Sequence, residues 1–306
     1  MTNRESLNVP VVNLAKKRIA IYLAIVYFLV FGSGLLAITI PGPIGSTAYT
    51  ILFALFSLFP FVANIATRII TRDKSPWLLR LNIKGNFGKY IAAALFPGVL
   101  IFLGAVVYFL IFPSQLDLSA QQLVLAYGPF GFPSDLPHTL GSIIKIGIVG
   151  IFISPLIVPV VVFAFGEEIG WRGYLLPNLL QCFSVKKAVL LNGLLWGINH
   201  IPLIYFGLNY GETYLGAPWT GMILMILVCV VLGVWLSFYT IKTKSVFPAS
   251  IMHGAANVIG EWPAFVALPG IYPLLGPNPT GLIGMSFLLM GSVVCFWLLS
   301  TSKSED

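Results

Sequence analysis

Charged side chains are scarce in this chain. Asp, Glu, Lys and Arg together make up 9% of the 306 residues, 58% are hydrophobic, and the mean hydropathy is +0.94. A soluble globular domain carries about 25% charged residues, so the composition excludes that class and points to an integral membrane protein. Cysteine is rare as well. Cys182, Cys229 and Cys295 are odd in number, far apart and without a C-x-x-C pair, which excludes a disulfide framework or a zinc knuckle and leaves them as small apolar filler. No low-complexity tract and no convincing internal repeat are present, so the signature of many transporters is missing. A net charge of +7 does not mark a nucleic-acid surface here, because the basic residues sit between apolar runs, where they report topology.

Long apolar runs dominate what is there. They predict spans at about 19–40, 48–67, 90–112, 186–206, 220–241, 246–265 and 278–300, and one more from about 140 that continues past Phe165 and is kinked by Pro155 and Pro159. The expected fold is all-α: a polytopic membrane protein of about eight transmembrane helices. Its organisation is a segment 1–18, a single transmembrane domain 19–300 with the functional core at about 156–262, and a tail 301–306. Lys16-Lys17-Arg18 before the first run is reminiscent of a signal peptide, but no small-x-small cleavage site follows. Pro41-Gly42-Pro43 makes a turn, 68–89 is a basic connection, and 113–139 holds Asp117, Asp135 and His138 without Lys or Arg. With the N-terminus in the cytoplasm and the chain alternating, Lys145 is the sole one of the 17 Lys and Arg residues on the wrong side. That bias places both termini in the cytoplasm, with a bacterial inner membrane as the expected location.

Polar residues inside the spans are few, and they gather. Gly166-Glu167-Glu168-Ile169-Gly170-Trp171-Arg172 puts two carboxylates and an arginine in lipid-spanning sequence, where an ionisable residue is a functional-site hypothesis by default. His200 follows in Trp196-Gly197-Ile198-Asn199-His200, and His253 and Asn257 share a helix face at i and i+4. If the helix carrying Glu167 turns near 181–185 and returns, Glu167 and His200 come to equal depth, about 25 Å of helix from the turn at 1.5 Å per residue. A protruding turn makes that depth shallower. The Glu168–Arg172 spacing makes them the natural ion pair. Glu167 is left as a base for water, with His200 to hold it, and His253 with Asn257 suits developing negative charge on a carbonyl oxygen. Together these groups outline water attack on an amide within the membrane, in a cavity expected to be reached from the cytosol.

Other intramembrane chemistries fail on residues. H-E-x-x-H is absent; Phe31-Gly32-Ser33-Gly34 lacks the first Gly of a rhomboid-type serine motif; and all four Asp lie in loops or tails. Glu-Glu-x-x-x-Arg, aromatic-x-x-x-His and His-x-x-x-Asn, in that order on successive helices, resemble the CPBP family of CAAX proteases and bacteriocin-processing enzymes. The resemblance implies an eight-helix intramembrane glutamate endopeptidase. In it Glu167 and His200 activate water, Glu168 and Arg172 support the site, and His253 and Asn257 form the oxyanion site. The family's usual Phe is Trp196 here, a departure that bears on pocket shape. Its best-known activity removes the last three residues of prenylated C-a-a-X proteins. The implied partners are a membrane-associated protein or peptide substrate and the lipid bilayer, with no nucleic acid and no cofactor.

Zinc stays open as an alternative, since two His and two Glu could ligate it. A non-catalytic bacteriocin-immunity or membrane-chaperone role and a proton-coupled transporter are the rival functions, and a structural ion-pair cluster is the plain reading of Glu167, Glu168 and Arg172. Glu212 and Glu261 are expected at the outer interface. Trp77, Trp171, Trp219 and Trp262 are expected as interface anchors or packing residues.

Overall fold

The computed structural model describes residues 9–39, 47–119, 121–122, 139–268 and 272–301. The Pro41-Gly42-Pro43 turn, Asp135, His138 and the tail beyond 301 lie outside them. Among the described residues all the regular structure is helical, apart from an isolated bridge between Leu116 and Ala267. The long helices are α1 (Val9–Ala37), α2 (Thr47–Thr71), α3 (Phe87–Ile111) and α9 (Trp219–Thr243). Those four are long and apolar enough to cross a membrane. A bent pair, α4 (Leu140–Ile153) with α5 (Val158–Gly170) and its continuation to Cys182, raises the number to five. Large apolar side chains on the outside, among them Phe28, Ile69, Leu110 and Trp297, are exposed as a lipid-facing surface requires.

The remaining helices are shorter than the apolar runs suggest, and proline and glycine explain why. The break expected at Pro155 is a 3-10 turn over Ser154–Leu156, and the two arms meet at 57°. The returning run divides into α7 (Val185–Asn199) and α8 (Ile201–Tyr205) at His200, with Pro202 at the start of the second piece. The seventh run gives α10 (Phe247–Ile259) and a single turn α11 (Trp262–Phe265), again opened by a proline, Pro263. The eighth gives only α12 (Ser286–Thr301), because 272–285 holds Pro277, Pro279 and three glycines. In the opposite direction, α1 begins ten residues before the expected boundary, and Lys16-Lys17-Arg18 lie within it.

The basic end is built as well as charged. Arg18 pairs with Asp73 at 2.9 Å. Arg68, only 6% exposed, donates from Nε to Asn64 and from Nη1 to the Ser75 carbonyl, and lies over the Trp77 ring at 4.4 Å. The sequence reads these residues as topology signals, yet they also pin the 72–86 connection against α2.

Helices associate in lipid by close packing of small residues rather than by expelling water. α7 lies along α9 through Gly193 and Gly197, a small-x-x-x-small pair. A Cβ at Gly193 would stand 2.8 Å from the Val230 Cα, and one at Gly197 would stand 2.7 Å from the Ile226 Cα. α5 packs between α2 and α10, and α10 also packs on α3. The central core therefore brings α5, α7 and α10, which carry the three motifs, to one place.

Candidate active site

The segment after the two glutamates is not a regular α-helix. Trp171–Leu175 form one π-helical turn between α5 and the short α6 (Leu176–Cys182). Such widened turns are frequent at functional sites and free backbone groups that need partners in an apolar interior. Two asparagines supply them: Asn64 of α2 donates to the Ile169 carbonyl at 3.2 Å, and Asn192 of α7 donates to the Trp171 carbonyl at 2.9 Å. Gly173 within the turn faces Val246 and the Trp77 carbonyl, which belong to the connections at the basic end. Residues 174–182 therefore run on past that level. Glu168 lies only about 8 Å of helix beneath it, at 1.5 Å per residue, rather than the full distance to the turn.

Glu168 and Arg172 are both fully buried, and their i, i+4 ion pair is present at 3.0 Å. The same carboxylate oxygen, Oε1, accepts from His253 Nδ1 at 2.9 Å. Glu168 thus joins α5 to α10 as well as neutralising its arginine. The guanidinium lies over the Trp196 ring at 4.3 Å, a cation–π contact in a dry site. Its far side reaches α9 at Gly233, where a Cβ would come within 3.2 Å of Nη2.

Glu167 has a different neighbour. Its Oε2 accepts from Trp196 Nε1 at 3.1 Å, which leaves Oε1 without that tether. Trp196 is the hub of the site, since its ring also meets His200 and His253 edge-on, with centroids 5.4 and 5.2 Å away. His200 closes α7, and its Nδ1 lies 2.9 Å from the Trp196 carbonyl, with the Cys229 Sγ 3.6 Å from the same atom. A carbonyl can only accept, so Nδ1 carries the proton and the neutral ring keeps its lone pair on Nε2.

One cavity of about 300 Å³ is lined by Glu167, His200, His253 and Asn257, together with Phe56, Ser57, Asn209, Glu261, Asn278 and Thr280 among others. The six residues singled out by sequence are therefore gathered, four on the cavity wall and two, Glu168 and Arg172, behind it. Among the described residues no three of His, Cys, Asp and Glu are grouped to hold a metal ion.

Several wall residues carried no legible signal. Asn209, Asn278 and Thr280 lie in polar, proline- and glycine-rich connections that read as ordinary loops. Glu261, expected at the outer interface, is exposed and also lines the cavity, because the helical path continues through it. Trp171 was expected as an interface anchor or packing residue and is wholly buried, edge-on to Tyr22. Cys229 touches His200, which the reading as filler did not anticipate. The wall residues on 208–209 and 278–280 also set one side of the cavity against the connections 206–218 and 272–285, away from the basic end.

Residues 149–259 match the family model for the type II CAAX prenyl endopeptidase Rce1-like proteins. That segment resembles the Rce1-like family. A protein of Methanococcus maripaludis named CAAX prenyl protease 2 is 29% identical over 210 residues, covering 66% of this chain and 68% of that protein. The Rce1-like segment contains Glu167, Glu168, Arg172, His200, His253 and Asn257 and stops before Glu261. The matched segment thus holds the motifs and part of the cavity wall, while Glu261, Asn278 and Thr280 of the wall lie beyond it.

Proposed function

We propose that this protein is an intramembrane endopeptidase that hydrolyses a peptide bond of a membrane-associated protein or peptide, using water activated by Glu167 and His200. The observation that carries the reading is the single cavity lined by Glu167, His200, His253 and Asn257, which come from three helices far apart in sequence. With Oε2 held by Trp196, Glu167 offers Oε1 to a water, and the His200 Nε2 lone pair is a second acceptor for it. As the water oxygen bonds to the substrate carbonyl carbon, its proton passes to Glu167. The same proton then goes to the leaving amine as the C–N bond breaks. A general base of this kind is worth roughly 10² to 10⁴ in rate.

The oxyanion that forms is met by the Asn257 amide and by His253. Its ring, in the doubly protonated form paired with Glu168, presents Nε2–H to the cavity. Arg172 and Glu168 position that ring, and Trp196 positions Glu167. The family name makes a C-a-a-X peptide the first substrate to test. Charge patterning supports eight spans with both termini in the cytoplasm, and under that orientation the side of the cavity formed by 208–209 and 278–280 lies toward the outer half of the membrane.

The deciding experiment compares the membrane peptidomes of cells carrying the wild type and Glu167→Gln. Fragments that vanish in the variant, with equal amounts of both proteins in the membrane, are the expected result. Unchanged fragments on a verified substrate overturn the mechanism. Retained protection of cells from a membrane-active peptide by Glu167→Gln would point to the non-catalytic immunity role instead.

A further inference from the structure

His253, Asn257 and Glu261 stand at i, i+4 and i+8 on α10. The stripe is unbroken, because Gly260 (φ −61°, ψ −25°) and Glu261 (φ −81°, ψ −24°) keep helical dihedrals past the end of the helix. All three side chains line the cavity. Eight residues of helix place Glu261 about 12 Å along the axis from His253.

Glu167 and Glu261 put two carboxylates on the cavity wall, and among the described residues no Lys or Arg lines it; the protonated His253 ring there is already paired with Glu168. The connections 206–218 and 272–285, which supply wall residues at this end, contain no Lys or Arg either, and the first carries Glu212. Among the described residues Glu261 has no ion-pair partner, in contrast to Glu168, Asp73 and their arginines. Glu261 is exposed where it lines the cavity, and a carboxylate on the wall of a cleft favours a cation as its guest. Being exposed, Glu261 is free to meet a partner that arrives with the substrate.

We propose that Glu261 is a charge-selecting subsite, which takes a basic side chain or a free amino group of the peptide substrate three to four residues from the scissile bond. The proposal rests on the endopeptidase reading. An extended peptide laid along the stripe with its reacting carbonyl at His253 advances about 3.3 Å per residue, so 12 Å corresponds to between three and four residues. A free C-terminal carboxylate three residues beyond the cut, on a peptide running in that direction, meets like charge at Glu261. An amidated or basic terminus does not. Selection by Glu261 therefore narrows the substrates of this chain toward cationic peptides.

The test uses the full-length protein in proteoliposomes with a proteome-derived peptide library, and cleavage sites are mapped by mass spectrometry for wild type, Glu167→Gln, Glu261→Gln and Glu261→Lys. Sites cut by the wild type and not by Glu167→Gln should be enriched about tenfold in Lys or Arg at one position three or four residues from the cut. The enrichment should disappear in Glu261→Gln and turn to Asp and Glu in Glu261→Lys, with unfolding midpoints of the Glu261 variants close to that of the wild type. Glu167-dependent cleavage whose charge preference is the same in all Glu261 backgrounds overturns the subsite alone. An identical peptide pattern for wild type and Glu167→Gln overturns the endopeptidase reading, and the subsite falls with it.

Discussion

Glu167 and Glu168 are neighbours in sequence and occupy different regions of the molecule. Behind the site, Glu168 sits in a closed polar core with Arg172 and His253, its Oε1 shared between them and no surface exposed. In front, Glu167 is held through one oxygen by Trp196 and lines an open recess. Successive helical residues point about 100° apart, and that rotation is enough to separate a structural carboxylate from a reactive one. A paired buried charge fixes geometry, whereas one with a free oxygen can do chemistry.

Breaking this contrast should give effects of very different kind. The largest is expected for Glu167→Gln: cleavage falls by about 10³ or more, while the unfolding midpoint in detergent stays near the wild-type value. Comparable loss of stability and activity together would put Glu167 in the closed core instead. For Glu168→Gln the order is reversed, since it leaves Arg172 buried without its counter-charge. A loss of about 3–5 kcal/mol in stability is expected, read by denaturant unfolding in mixed micelles. Adding Arg172→Met to Glu168→Gln should restore part of it, and failure of the double variant to recover would break the ion-pair account.

How much of this is legible in sequence differs between the two regions. The closed core is legible, because Glu168 and Arg172 stand at a spacing that lets them pair on a helix, in otherwise apolar sequence. The gathering of Glu167, His200, His253 and Asn257 can also be read, from their scarcity. The far wall cannot. Asn209, Asn278 and Thr280 lie where Pro and Gly break the helices, and backbone path in such stretches depends on tertiary contacts that no periodicity reports. Trp196 reads as a substitution for Phe that changes pocket shape. Its role as donor to Glu167 needs the rotamer, which a one-dimensional pattern lacks.

That donor gives the next prediction. Trp196→Phe keeps a ring over Arg172 and deletes the N–H, so stability should change by less than about 1 kcal/mol. The rate constant for cleavage, measured at saturating peptide, should fall about tenfold, since a hydrogen bond to a charged group is worth roughly 1.5–3 kcal/mol and water can replace part of it. An unchanged rate constant would detach Trp196 from the positioning of Glu167. The smallest perturbation sharpens where the open region leads. Cysteines placed at Asn209 and at Lys187, in a background without native Cys, should label from opposite sides of intact cells, with only the Asn209 variant accessible from outside. Labelling of Asn209→Cys from the cytoplasmic side alone would invert the orientation drawn from charge.

The π-helical turn at Trp171–Leu175 has a consequence for how this site can be inherited or lost. It holds the two halves of its helix out of ordinary phase, so the identity of the reactive carboxylate is stored as a residue count rather than as a residue type. Deleting one position from that turn would restore standard winding and rotate the preceding half of the helix by about 100° against the succeeding half. If the lost position were one of 173–175, every motif would still be present in order, yet Glu167 would take the direction Glu168 now faces. Alignments that score the motifs would pass such a chain as intact.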